Sequence, residues 1–500
     1  MQRRTVLRRS GAAVASTLSL PVVGTRSARA TAGSSPRVGS GQDESGYEPL
    51  GRLEIEGAAE AVVGDDDVAY LATTTGFATV DVSEPAEPEL LFLEDDIEVD
   101  GDPFLEILDV AVDGDRLVVP GPANRTSGRL FEGFCCYDVS DPAAPELVAE
   151  PYETGFHIHN CSLEDDVLYV VGNDPSDNVV VVYDVADGVE RIGRWSLLEH
   201  EPGWADVDWI ARYLHDVSVH DDVAYLAHWN PGTYLLDVSD PAEPEYISHV
   251  SETDLQSQRS VENDLEIRHG LPGNDHYATV DETGDLLAVG REAWATGGEE
   301  PDGPGGIDLY DVSNSEDPVS RGSIEPLAAA DESYDAGLWT TAHNFELRND
   351  RLYAAWYRGG VTIHDVSDPD DPERLAAWRD PHVAGFWTAR VLEPGETFVA
   401  SSTQAIPNAP TEGALYTFPI ETGEQADPPS LTDPDAFDLD GVDRDDDGNE
   451  SAADADDGDD GAEGNADDSI PGFTGTAAGF GLVSVAGGAA ALEWVRRRRR

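Results

Sequence analysis

Short apolar or alternating runs recur along residues 58–423, and the same polar phrase closes each one. Phe77-Ala78-Thr79-Val80 leads into Asp81-Val82-Ser83-Glu84-Pro85, and Val361-Thr362-Ile363 leads toward Asp365-Val366-Ser367-Asp368-Pro369. The runs have the length and period of strands. The phrase reads as the turn that ends them: Asp and Ser cap backbone amides, and Pro has no donor to continue a ladder. Further copies start at Asp138, Asp237 and Asp311, with a worn copy at Asp184. The leading Asp recurs at spacings of 57, 46, 53, 74 and 54 residues.

A period of this size with several strands per unit predicts a β-propeller, one blade per repeat. The fourth unit reads Leu214–Val219, Val223–Ala227, Thr233–Val238 and Glu245–Val250, four strands. Seven units fit between residues 58 and 423. The last unit stops after its third strand, at residues 414–420. Residues 49–55, ahead of the first unit, carry the fourth-strand pattern seen at residues 318–324. The fold class expected is therefore all-β: a seven-bladed propeller of four-stranded blades, closed by its N-terminal strand, which removes the open edge. The repeat phrase resembles the LVIVD repeat of archaeal and bacterial surface propellers. That likeness implies the fold and names neither ligand nor activity.

Composition adds an environment. The chain has 101 acidic residues against 30 basic ones, all Arg, and a net charge of −71. This resembles proteins of extreme halophiles, and specifically a haloarchaeal surface propeller. Such a charge argues against nucleic-acid partners. Three cysteines, Cys135, Cys136 and Cys161, are too few for a disulfide framework and read as small buried residues.

The ends carry addresses. Residues 1–30 hold Arg3-Arg4-Thr5-Val6-Leu7-Arg8, an apolar stretch and Ala28-Arg29-Ala30, which together resemble a twin-arginine signal peptide. Residues 31–46 read as a linker and residues 47–423 as the propeller. Residues 424–469 read as an acidic disordered linker. Residues 470–500 combine Pro471-Gly472-Phe473, an apolar stretch long enough to span a bilayer, and five terminal Arg. This resembles the PGF-CTERM sorting signal, and a plain transmembrane anchor reads equally well. Both place the propeller outside, tethered to the membrane as its partner. Within the linker, residues 443–454 fit the start of a calcium loop, a cheap match in an Asp-rich tract. Asn124 and Asn449 lie in sequons and are expected to be accessible.

Aligning the first strand of each unit places His159, His215, His276 and His343 at one point in four consecutive blades, with Trp387, Leu108 and Ala59 in the others. The loops expected at the same channel mouth hold His228, Trp229, Arg291, Trp356 and Arg358. Three readings stand. The four His cap their strands, or they share a transition metal, or the group binds a small polar ligand or surface protein with Arg charge and Trp stacking. The functions that follow are a ligand-binding or interaction module, a metal-dependent extracytoplasmic enzyme, or a structural envelope protein. No nucleophile–base order or phosphate loop stands out to assign catalytic residues.

Overall fold

The structure, a computed structural model, describes residues 46–437 apart from residues 65, 66, 126, 127, 262, 299, 336 and 408. Seven antiparallel sheets follow one another around a central channel. The fourth blade is the simplest: Leu214–His220, Val223–His228, Gly232–Asp237 and Glu245–Val250, paired in that order. Its middle strands, Val-Ala-Tyr-Leu-Ala-His and Gly-Thr-Tyr-Leu-Leu-Asp, are buried almost throughout because neighbouring blades cover both faces. Its outer strand alternates with solvent.

The ring closes as the repeat count predicts. Gly51–Glu54 pairs antiparallel with Ala414–Pro419, in the register Gly51↔Thr417 to Glu54↔Ala414. Arg52 adds a bond to the Tyr416 hydroxyl and an ion pair to Glu412.

The repeat phrase has a local cause. In each full copy the Asp carboxylate accepts the backbone N–H of the Ser two residues on, as in Asp81–Ser83, Asp237–Ser239 and Asp365–Ser367. The Ser hydroxyl donating to the same carboxylate, with this backbone bond after it, holds the Asp81, Asp237 and Asp365 carboxyls below their ordinary range and, with Arg321 added, Asp311 down to about 2. The Val between them is buried, and its N–H bonds back to the preceding hairpin, as with Val238 to Asp222.

Three sequence expectations change. The acidic linker does not begin at 424. Gly423–Glu424 adds a parallel strand to Glu373–Trp378, Leu431 and Phe437 are buried against Leu338, and Arg379 donates to the Pro429 carbonyl. The apolar Leu431 and Phe437, inside an otherwise acidic tract, explain why this stretch docks. Asn124 is buried, so its sequon is not an open acceptor. The outer strand of blade two is broken into Glu146–Leu147 and Tyr152–Glu153. All three cysteines are free and buried.

The signal peptide expected at residues 1–30, the calcium-like tract at 443–454, Asn449 and the 470–500 segment lie outside the described residues. Among the described residues, no helix is long and apolar enough to cross a membrane.

Candidate metal centre

Each inner strand runs from one mouth of the channel to the other, so residues at the same register form a tier. The upper tier contains His159, His215, His276, His343 and Trp387. Neighbouring ring centroids stand 4.2 Å (His159–His215), 3.9 Å (His215–His276), 4.5 Å (His276–His343) and 3.9 Å (His343–Trp387) apart. All four imidazoles are buried. They line a cavity of about 10 Å³ with Leu108 and the next tier, Glu60, Asp109, Asn160, Asp216 and Asn344.

In an ordinary strand, successive side chains point to opposite faces, yet His215 and Asp216 both reach this cavity. A β-bulge is the reason. The register slips between Leu214 and Asp216, between Asp275 and Tyr277, and between Phe386 and Thr388. His215, His276 and Trp387 are the extra residues, which such a bulge re-aims.

Burial sets the protonation. It pulls the His159 imidazole down to about 4, and it holds His215, His276 and His343 well below the usual range, with neighbouring imidazoles adding to the effect. The rings are therefore neutral at pH 7, the state that binds a metal. His159 and His343 each set Nδ1 against a backbone carbonyl, that of Ala123 and of Trp387 respectively. This assigns the proton to Nδ1 and leaves the Nε2 lone pair free of it. Among the described residues, His343 Nε2, His215 Nδ1 and His276 Nδ1 have no hydrogen-bond partner.

Glu292 completes the group, and sequence reasoning missed it. Its Oε2 lies 3.7 Å from His276 Nε2 and is buried without a hydrogen bond among the described residues, while its Oε1 accepts from the Tyr357 hydroxyl. Donor atoms of His215, His276 and Glu292 lie within 4.8 Å of one another. Burial pushes the Glu292 carboxyl up to about 8. In a chain with so many carboxylates, nothing marks this one. The carboxylates of the second tier were within reach: reading the His alignment one residue further gives Glu60, Asp109 and Asp216, beside the amide of Asn160.

The other expected site residues divide. Trp387 packs on His343, and Trp229 stacks on His215 at 5.3 Å while donating to the Arg268 carbonyl. The remaining four do not reach the cavity. Arg291 is held by Asp275, Asp308 and Glu252. Arg358 donates to the Pro381 carbonyl beside Phe437, Trp356 donates to Thr362, and His228 bonds the Arg212 carbonyl against Trp195 and Tyr234. A loop polar group that is buried must be bonded, and partners in its own blade are nearest. Above the imidazoles, Trp209, Ile210, Tyr213 and Trp229 form one apolar cluster, and Trp294, Trp339 and Tyr357 belong to another.

Residues 56–95 and 211–251 match the LVIVD repeat. No curated protein matches the chain. Among solved structures, the WD40 β-propeller domain of Doa1 is 10% identical over 75% of this chain and 97% of its own, with a TM-score of 0.45. The β-propeller domain of Myceliophteria thermophila Cps50 (Swd1) is 9% identical over 74% and 99%, at 0.47. A hypothetical selenium-binding protein from Sulfolobus tokodaii is 12% identical over 67% and 82%, at 0.47. Likenesses this distant say nothing of ligand or activity.

Proposed function

We propose that this LVIVD-repeat propeller is an exported binding module, tethered at the outer face of the membrane, that holds one transition-metal ion in its channel. The carrying observation is the buried group His215, His276 and Glu292, whose donors lie within 4.8 Å of one another and include atoms with no other partner. Metal–nitrogen bonds of about 2 Å put opposite donors roughly 4 Å apart, so small side-chain rotations close the set. Two neutral imidazoles and one carboxyl, which would give up its proton to the ion, suit zinc or ferrous iron. The bound ion would supply a Lewis-acidic centre. His343 lies outside that 4.8 Å set but beside His276, with its Nδ1 fixed and its Nε2 unbonded among the described residues, and Tyr357 orients Glu292. A cavity of about 10 Å³ fits an ion or a water and not an organic substrate, which favours holding over turnover.

Export and tethering rest on the sequence of residues 1–30 and 470–500, whose order of basic, apolar and cleavage-like parts supports that address. One experiment tests both halves. The protein is recovered from fractions of its native host and its metal content is measured, beside a variant carrying His215→Ala and Glu292→Gln. The expected result is membrane-bound protein with near-stoichiometric transition metal, lost in the variant. Metal-free wild type, or a variant that keeps its metal, overturns the centre. Cytosolic protein overturns the address.

A further inference from the structure

The opposite mouth of the channel holds a second and much larger cavity, of about 500 Å³. It is built by the far ends of the inner strands of blades six, seven, one and two. Period two along these strands brings Glu346 and Arg348 from blade six, Arg390 and Leu392 from blade seven, and Val62 and Val112 from blades one and two to its wall.

The two guanidiniums differ. Arg390 is the floor, and three of its five N–H groups are taken: Nη1 donates to the Tyr277 hydroxyl and the Phe345 carbonyl, and Nη2 to Glu60 Oε1 at 2.8 Å. Arg348 lies at the rim, exposed. Among the described residues no side-chain hydrogen bond or ion pair holds it, and Glu346 beside it already accepts the Val391 N–H at 2.8 Å. Glu346 feels the Arg348 charge without forming an ion pair with it, so the guanidinium keeps its N–H groups for a ligand in the cavity.

We propose that this mouth binds a small aliphatic carboxylate, its head group on Arg348 and its body along Val62, Val112 and Leu392. The guanidinium fork matches a carboxylate with two parallel hydrogen bonds. The volume is in the range of small-ligand sites. The charge count selects a monoanion: Glu346 and Asp113 also line the cavity, and they oppose a phosphate dianion more strongly. Val62, Val112 and Leu392 offer apolar contacts to a hydrocarbon body, which inorganic phosphate lacks.

The test is calorimetric titration of the full chain with hexanoate, hexan-1-ol and inorganic phosphate, repeated on Arg348→Gln. Hexanoate is expected to bind at one molecule per chain, hexan-1-ol not to bind, and the variant to lose at least about tenfold in affinity with an unchanged melting temperature. His215→Ala is expected to bind hexanoate as the wild type does, so the site stands or falls separately from the metal centre. Absence of hexanoate binding, equal binding by Arg348→Gln, or a preference for phosphate overturns the assignment.

Discussion

Asp109 shows how burial alone changes a residue's behaviour. Burial first, and Glu60 second, push its carboxyl up to about 8, although Oδ2 accepts the Cys161 N–H at 2.7 Å. Burial pushes Glu106 up to about 7. In the unfolded chain both ionise near pH 4. The folded form therefore keeps protons that the unfolded chain has lost. That contribution to stability is complete below about pH 4 and is lost as pH rises through about 8. Buried imidazoles act in the other direction. Burial pulls His157 and His228 down to about 3, so their contribution is complete above about pH 6.5 and is lost as pH falls through 3. Between about pH 6.5 and 8.5 the raised carboxyls act alone. The melting temperature is expected to fall over that interval, and Asp109→Asn to flatten the fall. A thermal-melt series against pH checks this; an unchanged slope in the variant means that Asp109 titrates normally.

At the scale of the element, the repeat phrase does two jobs. Its Asp and Ser close the turn, which the sequence signals directly. Its Pro carbonyl also reaches the outer strand of the preceding blade, which the sequence does not signal. The Gly322 N–H donates to the Pro369 carbonyl at 2.8 Å. A Cβ at Gly322 would sit 2.5 Å from that oxygen, and one at Gly193 would sit 2.3 Å from the Pro241 oxygen. Both contacts are with backbone, so relief requires one blade to move against the next. Gly322→Ala and Gly193→Ala are each expected to cost about 1–3 kcal/mol, the usual range for overpacking. Denaturant unfolding measures this, and a wild-type midpoint for both variants would show that the blades are not clasped there.

At the scale of the molecule, the first strand and the last blade hold the ring shut. Leu50 donates to the Thr417 carbonyl and Ile55 to the Gly413 carbonyl, bracketing the Gly51–Glu54 pairing. A chain starting at Ala58 would leave Ala414–Pro419 as an unpaired edge, above a core containing Leu415, Tyr416 and Phe418. It is expected to melt well below the full chain and to aggregate, as seen by scanning calorimetry and light scattering. A melt equal to that of the full chain would place the closure elsewhere. The segment to Phe437 adds a second clasp on blade six, through Gly423–Glu424.

The sequence by itself determined the repeat, the number of blades, the closing strand and the four in-register imidazoles. These are properties of local period and turn chemistry, and each repeat states them again. Only the tertiary structure decided which side chains share a space. Bulges at His215, His276 and Trp387 turn consecutive residues into the same cavity. Glu292 joins the imidazoles from the end of a second strand, and Arg291, its neighbour in the chain, is drawn away by Asp275 and Asp308. Arg348 faces an open cavity at the far mouth while Arg390 is locked inside. The reason is common to all of these. Buried polar groups go to whichever partner the packed ring brings nearest, within a blade for Arg291 and across blades for the imidazole tier, and that proximity is set by packing rather than by spacing in the chain.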